Sequence, residues 1–369
     1  MKYFVIAGEA SGDLHGSNLI KHLKLNDTNA EIKSWGGDRM IQQGADVKKH
    51  IRELAFMGFV EVLMNLRTIM RNFRLCKAQI AEFKPDALIL IDYPGFNLRM
   101  AKWAHEKKIK VIYYISPQVW AWKKSRVKII RRTVNEMFTI LPFEKEFYSK
   151  HGMNVRYEGH PLIDAVEDFK NNNTQTDWND SEKPILALLP GSRKQELKKM
   201  LPLMLEASDA FSSTHRIIIG AVSLMPSELY NTEGRNIEII TDQTYALLTK
   251  ARCAFVTSGT ATLETALFRV PLVVCYKANA ISYMIAKRLV GKNIQFISLV
   301  NLIAGKEVCR ELIQRDLNKD NMVNEMEKLA AHGEERTRML SEYDLLYARL
   351  GGKGASERVA KQIIKICSN

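Results

Sequence analysis

The strongest constraint on the fold lies at the start of the chain. Residues 3–7 are a short apolar, partly β-branched run, the pattern of a buried strand. Gly8, Ser11 and Gly12 break it, and from Asp13 onward Leu14, Leu19, Ile20 and Leu23 recur at helical spacing. A strand, a small-residue turn and a helix start in one stretch imply an α/β layer. The turn has two readings. Either it is a tight corner that needs small residues, or it lets another group approach the backbone and the donors of a helix N-terminus. Its spacing is not G-x-G-x-x-G, which speaks against a dinucleotide cofactor.

The same logic restarts past the middle. Residues 185–189 form an apolar run, followed by Pro190-Gly191-Ser192-Arg193 and a helix from about Glu196. Between the halves, residues 168–183 are polar and Asn-rich and read as a linker. A chain of 369 residues with 46% apolar and 26% charged residues fits two soluble domains, each with its own core. The expected boundaries are 1–170, 184–349 and a terminal helical segment, 350–369. No apolar run approaches the ~20 residues that span a bilayer, and the first apolar stretch is too short for a signal peptide. The five cysteines are scattered without C-x-x-C and read as reduced thiols, neither disulfides nor metal ligands.

A formal charge of +13 calls for an anionic partner: nucleic acid, a membrane surface or phosphorylated substrates. No zinc-finger spacing, RRM signature or basic-aromatic stripe is present, so no nucleic-acid partner is expected. The greasiest stretch, residues 54–64, contains Met57, Phe59, Val60, Val62 and Leu63 and leads into a helix through about Phe83. On that helix Arg67, Arg71 and Arg74 fall at i, i+4, i+7. One reading is a core helix with a solvated basic face. The other is an apolar surface meeting lipid, with cations meeting headgroups at roughly 1 kcal/mol each.

Residues 85–92 are the clearest strand, ending on Asp92 before Tyr93-Pro94-Gly95-Phe96-Asn97. Ligands of open α/β sheets sit beyond the carboxyl ends of strands, which makes Asp92 a candidate general base; the plain alternative is a turn cap. A strand at 111–115 ends in Ser116-Pro117-Gln118-Val119-Trp120-Ala121-Trp122, where Gln118 and Trp120 suit a ligand wall or ordinary core. A basic helix follows, then a strand at 135–140 and Pro142-Phe143-Glu144 opening a helix. His160, before Pro161, reads as a hydrogen-bonded turn residue. Thr257-Ser258-Gly259-Thr260-Ala261-Thr262-Leu263-Glu264 is a second strand-turn-helix unit. Small hydroxyl residues and free N–H groups there suit phosphate oxygens, and Glu264 suits a ribose diol; a capped helix is the alternative. Arg193 at a helix start could clamp a diphosphate. Asn301 and the segment Arg310-Glu311-Leu312-Ile313-Gln314 offer further polar groups beside a helix, and residues 355–367 form a last amphipathic helix.

Taken together, these stretches resemble the lipid-A-disaccharide synthases, bacterial glycosyltransferases of the GT-B architecture. The resemblance runs nearly end to end. It rests on Ala7-Gly8-Glu9-Ala10-Ser11-Gly12-Asp13, Gly58-Phe59-Val60-Glu61-Val62, Ile91-Asp92-Tyr93-Pro94-Gly95-Phe96-Asn97, Tyr114-Ile115-Ser116-Pro117-Gln118-Val119-Trp120-Ala121-Trp122, Leu141-Pro142-Phe143-Glu144, Leu188-Leu189-Pro190-Gly191-Ser192-Arg193 and Ser258-Gly259-Thr260-Ala261-Thr262-Leu263-Glu264. The family's Asn-Leu-φ-Ala-Gly and Glu-Leu-φ-Gln elements, φ being Leu or Ile, appear at 301–305 and 311–314. Some members carry a second Asp where this chain has Gly95, which leaves Asp92 as the carboxylate of that segment.

The resemblance implies two Rossmann-like domains facing across a cleft, with a C-terminal helix that crosses back to the first or exchanges with a partner in a homodimer. It implies transfer from UDP-2,3-diacylglucosamine to 2,3-diacylglucosamine 1-phosphate, forming a β-1,6 bond with inversion, at the cytoplasmic leaflet of the inner membrane. Asp92 and Arg193 would carry the chemistry. Gly191, Ser192, Ser258, Gly259, Thr260, Glu264, Asn301, Glu311 and Gln314 would hold the UDP-sugar. Glu9, Ser11, Gly12, Asp13, Gln118 and Trp120 would face the acceptor. No cofactor is expected, and with no D-x-D in the chain the diphosphate would meet fixed cations and helix dipoles. The rivals are a UDP-sugar 2-epimerase of the same fold and a non-catalytic nucleotide-binding protein at a membrane surface. The absence of a Gly-Lys-Ser/Thr after a Gly-rich loop disfavours a Walker NTPase.

Overall fold

The computed structural model describes residues 1–54, 66–120, 125–172, 183–278 and 295–368. Two compact units emerge: Met1–Ala165 with Leu350–Asn369, and Val166–Arg349. The expected lipid-facing residues Met57, Phe59, Val60, Val62 and Leu63 lie outside the described residues, as does Trp122.

The first unit is built on β1 (Lys2–Ile6), β2 (Glu31–Gly36), β3 (Asp46–His50), β4 (Ala87–Ile91), β5 (Lys110–Tyr114), β6 (Glu136–Thr139) and β7 (Arg156–Tyr157). They form one parallel sheet in the order β3-β2-β1-β4-β5-β6-β7. Strand β4 is Ala-Leu-Ile-Leu-Ile with every residue buried, as a central parallel strand covered on both faces must be. Helices α1 (Ala10–Asn26), α2 (Asp38–Gln42), α3 (Leu66–Phe83), α4 (Pro94–Glu106), α5 (Arg126–Thr133) and α6 (Glu144–Ser149) connect the strands. On α3, Phe73, Cys76 and Ile80 enter the core while Arg67, Arg71 and Arg74 are exposed. Strand β3 had no apolar run to announce it. It is a polar edge strand, where charged residues discourage pairing with another chain.

Helix α7 (Pro161–Asn172) runs through the first part of the expected linker, so residues 168–172 are helical. The second unit contains β8 (Ile185–Leu189), α8 (Lys194–Ser208), β9 (Arg216–Ala221), β10 (Glu238–Thr241), α9 (Thr244–Lys250), β11 (Ala251–Thr257), α10 (Thr260–Leu267), β12 (Leu272–Tyr276), α11 (Leu299–Ala304), β13 (Glu311–Ile313), α12 (Lys319–Ala330) and α13 (Glu334–Arg349). Its parallel sheet has the order β10-β9-β8-β11-β12-β13. Residues 311–313, expected as polar groups beside a helix, are the edge strand β13, paired with β12.

The last helix, α14 (Ala355–Ser368), belongs to the first unit. Its Val359, Ala360 and Ile363 share a buried cluster with Leu19, Ile20 and Leu23 of α1. Asp164 in α7 caps its start, accepting from the backbone N–H groups of Gly354 at 2.6 Å and Ser356 at 2.7 Å. Among the described residues, no helix is long and apolar enough to cross a membrane.

Candidate functional site

In each sheet the chain's first strand sits inside, with later strands added on both sides. The direction of winding reverses between β1 and β4 and again between β8 and β11. A crevice opens beyond the carboxyl ends of the strands at such a point, and ligands of open α/β sheets bind there. The two turns that stand out in the sequence, after β1 and after β8, both end at these points. So do Asp92 and the 258–260 turn.

In the first unit the turn after β1 touches the turn after β4. A Cβ on Gly8 would lie 2.4 Å from the Tyr93 ring, so only glycine permits this contact. Gly12 and Gly16 have a different use. A Cβ on Gly12 would meet Ala7 at 3.0 Å, and one on Gly16 would meet Met40 of α2 at 1.9 Å and Ile91 of β4 at 3.1 Å, so their small size seats α1 against the sheet and α2. Asp13 is 4% exposed, and its carboxylate accepts from the N–H groups of Gly37 (2.7 Å), Arg39 (3.1 Å) and Met40 (3.2 Å). It caps α2 from across the fold. Glu9 and Ser11, half-buried at the mouth of the turn, are the polar side chains there that border solvent.

Asp92 and Tyr93 both adopt left-handed backbone conformations, with φ of 42° and 47°. Non-glycine residues pay about 1–2 kcal/mol each for this, and the surroundings hold them there. The Tyr113 hydroxyl donates to the Asp92 carbonyl at 2.6 Å, and Asn97 Nδ2 donates to it at 2.8 Å and to the Ile91 carbonyl at 3.1 Å. The Tyr93 ring stacks on Phe96, which stacks on Phe73 and Trp35. Asp92 is thus a half-buried carboxylate on a fixed backbone. The next strand end carries Gln118, which is exposed, and Trp120, whose ring packs edge-on against Phe143. Strand order places β1, β4, β5 and β6 side by side, so Glu9, Asp92, Gln118 and Trp120 share one edge of the sheet.

In the second unit, Gly191 takes φ of +105°, and a Cβ there would lie 2.5 Å from a Glu196 carboxylate oxygen. Glu196 accepts from the Ser192 N–H at 3.2 Å and from Arg193 Nη1 at 3.1 Å. Arg193 is half exposed, with its guanidinium held over the helix start. Strand pairing sets Leu189 opposite Val256, so this turn lies beside the one at 258–260. Gly259 precedes α10; among the described residues its first turn receives no side-chain cap, and a Cβ on Gly259 would meet nothing within 4 Å. Of the first N–H groups of this helix, that of Thr262 is taken by the Gly259 carbonyl at 3.2 Å. The Ser258 hydroxyl donates to the Ile297 carbonyl at 3.0 Å, and Glu264 accepts from the Tyr245 hydroxyl at 2.8 Å. Gln314, at the end of β13, has φ of 57° and a buried Nε2 without a hydrogen-bond partner among the described residues.

Asn301 and Glu311 come together, but as scaffold. Asn301 is fully buried. Its oxygen accepts from the Val308 and Cys309 N–H groups, and its amide nitrogen donates to the Cys309 carbonyl and to Glu311. Glu311 also accepts from the N–H groups of Ile297 and Ser298, both at 2.9 Å, and from the Ser298 hydroxyl at 2.7 Å. The pair fixes the segment whose Ile297 carbonyl receives Ser258. Glu196, Asn97 and Tyr113 escaped sequence reasoning; a Glu three residues after a helix N-cap was the one available signal. Among the described residues, no group of three or more His, Cys, Asp or Glu side chains could hold a metal ion.

A family model described as LpxB, lipid-A-disaccharide synthetase, matches residues 3–366. The chain belongs to this family. Curated lipid-A-disaccharide synthases of Trichlorobacter lovleyi and Coxiella burnetii are 37% and 36% identical, over 99% and 97% of this chain and 97% and 96% of theirs. Family membership makes the chain a glycosyltransferase. Among solved structures, a Staphylococcus aureus MnaA–UDP complex superposes with a TM-score of 0.71 at 13% identity, covering 100% of this chain and 97% of that one. The UDP-GlcNAc 2-epimerase of Neisseria meningitidis, bound to UDP-GlcNAc, gives 0.67 at 14% identity, covering 99% and 100%. The calicheamicin glycosyltransferase CalG4 gives 0.61 at 14% identity, covering 100% and 98%. These likenesses establish the fold: two Rossmann-like α/β units, as the sequence pattern implies.

Proposed function

We propose that the chain transfers the diacylglucosaminyl group of UDP-2,3-diacylglucosamine to the 6-hydroxyl of 2,3-diacylglucosamine 1-phosphate. A β-1,6 glycosidic bond forms with inversion as the bond to UDP breaks. Asp92 takes the proton of the attacking hydroxyl. Arg193 and the N–H groups at the start of α10 stabilise the charge that grows on the departing diphosphate. Glu264 accepts from the ribose, and Gln314 donates its Nε2–H to the sugar or phosphate. Gln118 and Trp120 contact the acceptor. Residues 57–63, with the basic residues near them, attach the protein peripherally to the cytoplasmic leaflet of the inner membrane.

The observation that carries this reading is Asp92 itself. It is a carboxylate at the winding reversal of the first sheet, its backbone fixed by Tyr113 and Asn97. General-base catalysis contributes roughly 10²–10⁴-fold, so Asp92→Asn loses about that much turnover and keeps its affinity for UDP. Near-normal turnover would remove Asp92 from the mechanism. Arg193→Ala weakens UDP binding; unchanged affinity rules out the clamp. Mass spectrometry of the lipid product separates glycosyl transfer from epimerisation of a UDP-sugar.

A further inference from the structure

The motif Leu141-Pro142-Phe143-Glu144 has no part in the chemistry above, yet its carboxyl lies inside the first unit, beside the turn 116–120. We propose that Glu144 is a positioning residue whose ionisation resets that turn, and with it the acceptor contacts of Gln118 and Trp120. The proposal rests on the acceptor placement given above.

Glu144 is 1% exposed. One carboxyl oxygen accepts from the Leu141 N–H at 3.0 Å and the Ile140 N–H at 3.3 Å. From the end of β5, Ser116 and Trp120 act on the same carboxyl, while Tyr148 of α6 and Tyr157 of β7 feel its charge. Both tyrosines are themselves pushed up by burial and stay neutral. Among the described residues, the largest influences on it include no cation. Burial therefore dominates and raises the Glu144 carboxyl to about 7.

The hydrogen inventory around it differs between the two charge states. The Ser116 hydroxyl has one proton, which it donates to the Pro117 carbonyl at 3.0 Å. It therefore accepts from the Tyr148 hydroxyl, 2.7 Å away, and keeps a lone pair for a protonated Glu144. Pro117 also receives the Val119 N–H at 2.6 Å, so this carbonyl holds the turn closed. An ionised Glu144 offers acceptors only. The Ser116 proton then has to leave Pro117 to reach it. The Trp120 indole N–H, buried and at hydrogen-bond geometry to no acceptor among the described residues, then faces a full negative charge on the carboxyl it already acts on. Ionisation thus draws on both ends of the turn at once. A residue that merely caps its own helix start would produce no such coupling.

The test is a pH titration of Trp120 emission, isolated by subtracting the signal of Trp120→Phe, alongside steady-state kinetics in which each substrate is varied with the other saturating. The wild-type protein should show a one-proton step near pH 7, absent in Glu144→Gln, which keeps an acceptor for the Leu141 N–H. The acceptor KM should follow the same step while the donor KM does not. A missing emission step, or a step that survives in Glu144→Gln, overturns the proposal. An emission step that depends on Glu144 with an unchanging acceptor KM supports the coupling and discards the acceptor placement. If Glu144→Gln does not fold, infrared difference spectra of the wild-type protein serve instead. One buried carboxylic C=O band must vanish with the midpoint of the emission change, and unequal midpoints or no band overturn the proposal.

Discussion

Mild acid should loosen the first unit, and two histidines set the size of the effect. His15 on α1 and His160 at the N-cap of α7 are both buried, with ring centroids 6.4 Å apart. Burial pushes His15 down to about 4; burial and the nearby His15 push His160 down to about 3. Both groups take up protons near 6.5 in the unfolded chain. Their folded values are depressed, so the stability they allow is fully present above pH 6.5. It is lost as pH falls toward 4 and 3. Between pH 7 and pH 5 each costs about 2 kcal/mol, or about 4 kcal/mol together. His160→Asn removes one titration and keeps the cap, because an Asn oxygen can accept the Leu162 N–H that His160 Nδ1 accepts at 3.2 Å. Hydrogen-exchange protection of peptides from α1 and α14, corrected for intrinsic rates, measures the result. Wild-type protection should fall by roughly a thousandfold from pH 7 to pH 5, and that of His160→Asn by roughly thirtyfold. Equal losses in the two proteins would falsify the assignment.

Three further outcomes follow from particular contacts. Asn301→Ala strands the Val308 and Cys309 N–H groups in a buried site and should cost about 3–5 kcal/mol by urea denaturation. It should also raise the KM for UDP-sugar, since the segment holding Ser258 loses its anchor; a change below about 1 kcal/mol counts against this scaffold role. Gly8→Ala forces a methyl against the Tyr93 ring and should lower stability by about 1–3 kcal/mol, read by thermal melting. Unaltered melting and turnover would mean that the two turns are not in fixed contact. Gly95→Asp meets nothing within 4 Å among the described residues in the first turn of α4 and should stabilise by about 1 kcal/mol, through helix propensity and the helix dipole; a lower melting temperature contradicts that geometry.

Much of the site was legible because its signals are local. Each βα unit has an apolar run, a few small residues and a helical repeat within about fifteen positions, so residues 3–23 and 185–201 declare themselves without any partner. Asp92 follows an unbroken buried run, which by itself puts it at a strand's carboxyl end. The edge strands β3 and β13 gave no such signal, since one is polar and the other three residues long. The family match converts these local patterns into a glycosyltransferase.

What the chain determines by itself is therefore periodicity, strand ends and helix starts, because those depend on neighbours within a turn or two. What only the tertiary structure decides is where each polar side chain is used. Asp13 is committed to backbone N–H groups 24 to 27 residues away, Asn301 to Val308, Cys309 and Glu311, and Asp164 to a helix start 190 residues further on. The physical reason is that a buried carboxylate or amide must find its partners wherever the packed chain brings them, and sequence distance does not constrain that choice.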